Sequence, residues 1–286
     1  MVNRNGHFFS KEEAVLTHTN RGFKYGDGVF ETLRVVKGSI FFWEDHYFRL
    51  MASMRMLRME IPMNFTLEYI QDEIIATVRK NNLEQGAARV RMTVFRKDGG
   101  LYIPEDNQVA YVIEASKMES PFYLFQENHY EVELFRDYFL NKDMLSQLKT
   151  TNKILNVLAG VYAKENGYQN CLLLNSEKQV VEAINGNIFL VSGNQIKTPP
   201  LKDGCLNGIV RKKLMEIVAA DEGLGLLEES ISPFELQKAD ELFITNTISG
   251  ILPITKYRKK AYETTLTKRI LGKLNTKARL ELASSG

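Results

Sequence analysis

The sequence predicts an α+β protein organised in two parts. Strand-like and helix-like segments are mixed without the steady alternation of a doubly wound sheet. A proline-bearing, strand-poor stretch, KMESPFYLFQEN at 117–128, divides the chain. No internal repeat or low-complexity tract imposes a different architecture. A chain of 286 residues can hold one large domain or two moderate ones. The expected organisation is an N-terminal part at 1–118, a linker at 119–128 and a C-terminal part at 129–286.

VFETLRVV, the turn Lys37-Gly38 and SIFFW read as a hairpin over 28–43. From Glu44 to about Arg58 the period becomes helical, with Phe48, Met51, Met54 and Leu57 on one stripe. A second helix is expected over 67–81. Strands at 88–96 and 108–116 follow, joined by the turn-rich loop KDGGLYIPED. The C-terminal part opens with a strand near 130–136 and a helix at about 151–165, stopped by Asn166-Gly167. CLLLN, QVVE, NIFLV and QIKT give four short strands. A helix from Gly208 to about Glu222, strands at 241–246 and 251–255 and a polar C-terminal helix complete the chain.

Hydrophobic residues at 44% and charged residues at 25% give the profile of a soluble globular protein. A net charge of +2 offers no basic surface for nucleic acid. No apolar run approaches the ~18 residues of a membrane span. The start, MVNRNGHFFSKEE, lacks an apolar signal-peptide core, so the expected compartment is the cytoplasm. Cys171 and Cys205 lack metal-ligand spacing, and His7, His18, His46 and His129 form no HxH or HExxH pattern, so no metal site is expected.

Glu182 stands at the edge of a buried-looking strand pair, VVEAINGNIFLV, where an unpaired charge would be expensive. A salt bridge or a solvated strand end would satisfy it. In LNGIVRKK, Asn207 can cap and Gly208 can open a helix, leaving the amides of Ile209 and Val210 for an anion. Every helix start has this property to some degree. On a strand, Phe30, Thr32 and Arg34 share one face, as do Arg89, Arg91, Thr93 and Phe95 on another. Mid-strand arginines among apolar neighbours point to an anion, and a carboxylate suits a bidentate guanidinium. A structural acid such as Glu31 would serve as well.

Glu182, Ile184, Asn187-Ile188-Phe189, Ile196-Lys197-Thr198 and Leu206-Asn207-Gly208-Ile209-Val210-Arg211 together stand at a constrained spacing. That spacing resembles the signature of the class IV (fold type IV) pyridoxal-phosphate aminotransferases. RGFKYGDGVFETLRV, EDHYFRL, LKTTNKILNVLA and DELFITNTISGILPI extend the resemblance, in order, over nearly the whole chain. It implies a smaller N-terminal α/β domain and a larger C-terminal domain with a pseudo-barrel sheet. It also implies pyridoxal phosphate in the cleft between them, a homodimer, and an amino acid and a 2-oxo acid as small-molecule partners.

The resemblance further implies roles for single residues. Lys149, just before the Asn-containing helix start, would carry the cofactor, with Lys153 a surface residue one turn on. Glu182 would keep the ring nitrogen protonated. Arg49, the amides of Ile209 and Val210, and Thr247 would hold the phosphate, with Asn185, Gly186 and Asn246 as further cofactor contacts. Phe30, Arg34 and Arg91 would line the substrate pocket, with Arg96 as an alternative grip on the carboxylate.

Some positions depart from any one branch of the family. The D-amino acid enzymes have a tyrosine at the position of Phe30 and an Arg-x-His pair in the loop that here reads FRKDGGLYIP. This loop resembles the Gly-Gly loop of the aminodeoxychorismate lyases, which carry an arginine at the position of Leu101. The expected activity is amino transfer with a branched-chain-like or D-amino acid. The alternatives are aminodeoxychorismate cleavage to 4-aminobenzoate and pyruvate, or cofactor binding without turnover.

Overall fold

The computed structural model describes residues 1–13 and 15–284, and it is α+β. The chain divides into two units. One comprises Met1–Phe122, Lys149–Asn152 and the chain's end from Ala278; the other comprises Tyr123–Leu148 and Lys153–Lys277. Among the described residues no helix is long and apolar enough to cross a membrane.

In the first unit the elements are β1 (Val2–Arg4), β2 (His7–Phe9), α1 (Arg21–Tyr25), β3 (Gly28–Val36), β4 (Ser39–Ile40), α2 (Trp43–Met56), α3 (Leu67–Lys80), β5 (Ala87–Arg96) and β6 (Val109–Met118). The strands form one antiparallel sheet in the order β2-β1-β6-β5-β3-β4. Alternation sends Val29, Leu33 and Val35 of β3 and Val90, Met92 and Val94 of β5 to the face covered by α2 and α3. Lys37 and Gly38 both take positive φ, 48° and 80°, as a two-residue hairpin turn requires. The second strand of this hairpin is shorter than the pattern SIFFW suggests. Phe41 and Phe42 leave it for the core, and Phe42, at φ 55°, caps α2.

The phase of α2 also differs from its apolar stripe. Met51 and Met54 are buried, but Phe48 is 63% exposed, and the inward face carries His46, Leu50 and Ser53 instead. The cause is Glu31. It shares the apolar face of β3 with Val29 and Leu33 and is fully enclosed, so its carboxylate must find partners. His46 Nδ1 lies 2.7 Å away, and Arg49 donates from Nε (2.8 Å) and Nη2 (2.5 Å). Burial pushes the Glu31 carboxyl up, but the Arg49 charge and the hydrogen bonds from His46 and Arg49 prevail and hold it at about 2. Burial holds His46 below its ordinary value, against the opposing hydrogen bond and charge of Glu31. The trio at neutral pH is therefore an anion, a cation and a neutral imidazole.

In the second unit the elements are β7 (Glu131–Leu140), α4 (Ile154–Glu165), β8 (Asn170–Asn175), β9 (Val180–Ala183), β10 (Gly186–Ser192), β11 (Gln195–Thr198), α5 (Ile209–Ala219), β12 (Gly225–Glu228), α6 (Pro233–Leu236), β13 (Glu241–Asn246), β14 (Gly250–Ile254), β15 (Lys256–Tyr257) and β16 (Lys260–Ala261). A long helix, α7 (Thr265–Ser284), closes the chain. The sheet is mixed and follows the path β12-β11-β10-β9-β8-β7-β15-β16. β10 is its branch point, because 187–191 pair with β13 while 186–187 also pair with β9 and 190–192 with β11. The apolar layer holds Leu172, Ile188, Leu242, Ile244 and Ile254. α4 begins at Ile154 rather than near 151, because the residues before it pair with β3: Thr150 bridges Val29, Phe30 N–H donates to Lys149 O and Thr151 N–H to Gly28 O.

The Glu31 trio predicts the acid response of the protein. A carboxyl held at about 2 when folded, against an ordinary 4.5, contributes stability that is complete above pH 4.5 and fades as pH falls towards 2. His46 binds its proton more readily when unfolded, so it removes stability as pH falls below 6.5. Glu31→Gln should cost about 3–5 kcal/mol at neutral pH, since Arg49 is left without its anion. It should also flatten the pH dependence in the lower window. Urea unfolding across a pH series measures both, and an unchanged slope between pH 4.5 and 2 would contradict the role of Glu31.

Candidate active site

The first unit gathers an amine, an aromatic floor and a guanidinium. Lys149 is held by its backbone: its carbonyl accepts Phe30 N–H (2.8 Å), and two residues on Thr151 N–H reaches Gly28 O (2.9 Å). Thr151 Oγ1 adds bonds to the carbonyls of Gly26 and Gly28. The Lys149 Nζ stands 4.5 Å from the centre of the Phe30 ring, and the Arg91 guanidinium carbon lies 3.6 Å from the same centre. The β3–β5 register explains the second contact, because Phe30 faces Thr93, Thr32 faces Arg91 and Arg34 faces Arg89 on one side of the sheet. Arg91 is half buried. Burial and then the Arg89 charge disfavour its protonated form, and Glu114, directly opposite on β6, supports it.

The other arginines have different duties. Arg34 is buried and donates to the carbonyls of Ser120 and Phe122, so it fastens the end of the first unit. Arg96 spends all three nitrogens, on Asp27, on Arg58 O and Asn107 Oδ1, and on Leu57 O. Arg34, expected at the substrate, and Arg96, its alternative, thus donate to groups of the protein itself in this structure. Backbone carbonyls and Asp27 already take these groups. Arg49 is clamped by Glu31 along its Nε–Nη2 edge, which fixes the plane of the guanidinium. Glu31 and His46 were not among the expected site residues. Their signal was present in an acid that alternates with Val29, Leu33 and Val35, and in a His and an Arg three apart on one helix face.

The second unit gathers a buried carboxylate and an open helix start. Glu182 lies on β9 opposite Asn187 of β10 and Leu173 of β8. Its Oε2 accepts the Leu206 N–H at 2.9 Å, while Asn187 Nδ2 donates to Leu206 O at 2.8 Å. Both ends of one peptide segment are thus tied to the β9–β10 pair, and α5 starts three residues later. Gly208 caps α5 without a side chain and no acid stands in the first turn, so the N–H groups of Ile209 and Val210 meet no competing anion there. A Cβ at Gly208 would collide with Asn187 Oδ1.

Asn246 Oδ1 accepts from Ile248 and Ser249 N–H, which shapes the turn carrying half-buried Thr247. Asn185 is exposed and accepts from Asn170 Nδ2, and a Cβ on Gly186 would press on Thr245 O and Ile244. Asn185, Gly186 and Asn246, the expected further cofactor contacts, make these turn and packing contacts in the structure. Lys153 is not a surface residue. It is half buried at the N-cap of α4, where burial lowers its proton affinity and Glu182 raises it.

These donor sets fit pyridoxal phosphate piece by piece. Lys149 offers an amine for an aldehyde, Glu182 an enclosed carboxylate for a ring nitrogen, and Arg49 and the α5 amides offer cationic and N–H donors for a phosphate. Among the described residues no group of His, Cys, Asp and Glu could hold a metal ion.

The chain is similar to known proteins over most of its length. A putative branched-chain-amino-acid aminotransferase of Methanocaldococcus jannaschii is 33% identical over 253 residues, covering 87% of this chain and 85% of the relative. A D-alanine aminotransferase of Listeria monocytogenes is 28% identical over 255 residues, covering 88% and 85%. The crystal structure of a branched-chain aminotransferase from Thermoproteus uzoniensis with norvaline superposes with a TM-score of 0.86 at 29% identity, covering 95% of this chain and 92% of that one. The model of the amino-transferase class IV family matches residues 28–257, and the chain belongs to that family.

Proposed function

We propose that the protein is a pyridoxal-phosphate-dependent aminotransferase that moves an amino group between an amino acid, branched-chain-like or D, and a 2-oxo acid. The observation that carries this reading is the Phe30 ring with the Lys149 amine and the Arg91 guanidinium both upon it. When bound, the cofactor supplies an aldehyde for the amine and an electron-withdrawing ring. Lys149 would hold it covalently and would serve as the base that takes and returns the substrate α-proton. Glu182 keeps the ring nitrogen protonated, and its bond from the Leu206 N–H holds the carboxylate in place. The Ile209 and Val210 amides, Arg49 and Thr247 bind the phosphate.

Arg91 takes the substrate carboxylate. Its charge is disfavoured by burial and by Arg89, so an incoming anion relieves it. Leu101, where the lyases carry an arginine, speaks against aminodeoxychorismate cleavage. A homodimer is supported by α4, whose Ile154, Val157, Leu158 and Val161 form an exposed apolar stripe at helical spacing. Screening L- and D-amino acids against 2-oxo acids tests the activity directly. Release of 4-aminobenzoate from aminodeoxychorismate without any amino transfer would replace this reading by the lyase.

Lys149→Ala should lose covalent attachment of the cofactor, and Lys153→Ala should keep it. Borohydride reduction followed by peptide mapping reads this, and a reduced adduct on Lys153 would end the assignment.

Arg91→Met should lower kcat/KM for amino acids by an amount equivalent to about 2–5 kcal/mol, as for truncation of one partner of a buried charge pair. Cofactor loading should be unchanged, and amines without a carboxylate should suffer far less. Arg34→Met should instead lower the melting temperature, because two backbone carbonyls lose their donor. Equal kinetic losses for amines and amino acids would make Arg91 structural.

A further inference from the structure

A row of buried polar side chains crosses one face of the second unit's sheet. Glu182 on β9 stands opposite Asn187 on β10, and Asn187 stands opposite Thr245 on β13. Directly opposed residues of antiparallel strands point to the same face. Their neighbours fix which face it is, since Ala183, Ile188 and Ile244 all enter the apolar layer on the other side. Glu182 accepts the Leu206 N–H and Asn187 donates to Leu206 O. Thr245 is only 2% exposed, yet among the described residues no hydrogen bond closes on its Oγ1. The other buried threonines differ: Thr77 donates to Glu73 O, Thr198 to Ile188 O and Thr267 to Glu241 Oε2. A valine has nearly the same shape and would fill the position of Thr245 without burying an unpaired hydroxyl.

The start of α5 lies over this end of the row. Its N-cap, Gly208, is so close to Asn187 that a Cβ would collide with Asn187 Oδ1, and α5 packs along β13. Thr245 therefore stands one strand away from the residue that Gly208 covers. Thr247, the hydroxyl residue given to the phosphate, follows Thr245 by two positions. Glu182 is at the far end of the row, two strand spacings or roughly 10 Å away. The amides of Ile209 and Val210, with no acid in the first turn of α5, draw an anion towards the Thr245 end.

We propose that Thr245 is a further binding residue of the phosphate site, its hydroxyl donating a hydrogen bond to a phosphate oxygen of pyridoxal phosphate bound at the start of α5. The proposal rests on the reading of that site made above and adds a donor from the sheet beneath the helix. Phosphate oxygens of a dianion only accept, and a threonine hydroxyl has one proton to give. A bond from a buried donor to a charged acceptor is stronger than one between neutral groups.

The test reads affinity and stability in the whole chain after removal of cofactor. Thr245→Val should weaken binding of pyridoxal phosphate by roughly tenfold or more, the effect of losing a hydrogen bond to a charged group. Pyridoxal, which lacks the phosphate, should bind Thr245→Val and the parent alike. The same variant should raise the melting temperature of the cofactor-free chain, because a methyl replaces an unpaired buried hydroxyl. Thr245→Ser should keep the parental affinity for pyridoxal phosphate. Absorbance titration and scanning calorimetry supply these readings, and Thr245→Ala replaces the valine variant in the titration should that variant fail to fold. Unchanged affinity for pyridoxal phosphate overturns the proposal. So do equal losses for pyridoxal and pyridoxal phosphate, which mark disturbed packing, and a loss in Thr245→Ser as large as that in Thr245→Val. A lowered melting temperature in Thr245→Val overturns it as well, since the hydroxyl would then be paired within the protein. A parent chain that binds pyridoxal phosphate no more tightly than pyridoxal would overturn the reading of the phosphate site itself, and this proposal with it.

Discussion

A carboxylate enclosed in an apolar layer sets the arrangement of the first unit. Glu31 occupies a position on β3 that alternation assigns to the core, among Val29, Leu33 and Met92. An anion there is tolerable only with cationic and hydrogen-bonding partners, and α2 supplies them by turning His46 and Arg49 inward. That rotation leaves Phe48 in solvent and fixes the plane of the one guanidinium assigned to a phosphate. Directly beside Glu31 on the strand, Phe30 points to the opposite face, where Lys149 and Arg91 meet it. Two neighbouring residues of one strand therefore organise two tasks on two faces. A one-residue slip in register would exchange them.

In the second unit the corresponding constraint is a single peptide segment. Leu206 gives its N–H to Glu182 and its carbonyl to Asn187, so the end of the loop cannot drift relative to the strand pair that carries the acid. Because α5 begins three residues later, the hydrogen bond from Leu206 N–H to Glu182 also ties the first helical amides to the carboxylate through a short stretch of chain. Glycine at 208 follows from the same closeness, since a side chain would displace Asn187. Preorganisation of this kind allows a binding site to act without first paying for the ordering of its own loop.

Much of this was legible in the sequence, and the exceptions have physical reasons. The long strands β3, β5 and β6 show clear alternation, and α3 carries its apolar residues at helical spacing. The strands β1, β2, β12, β15 and β16 have two to four residues each, too few for any period to register. The phase of α2 misled because Phe48 fits the apolar stripe, while the deciding force came from an acid on another element. For the arginines, the shared strand face could be read from spacing. What each guanidinium meets could not, because carbonyls such as those of Ser120 and Phe122 carry no sequence signature.

The contrast among those arginines also bears on specificity. Arg34 Nη2 and all three nitrogens of Arg96 donate to groups of the protein itself, and a substrate engaging those nitrogens would displace the bonds, at the cost of an unpaired carbonyl or of Asp27. Arg91 rests on an aromatic face, a contact that orients the guanidinium plane without consuming its N–H donors. Among the described residues no hydrogen bond engages its N–H donors, which leaves them for a bidentate grip on a planar carboxylate. The Lys149 amine is no farther from Arg91 than the two distances to the Phe30 centre taken together, 4.5 and 3.6 Å. Phe30 thereby works as a gauge that couples the position of the anion grip to that of the amine. A change of ring at this position would alter both at once.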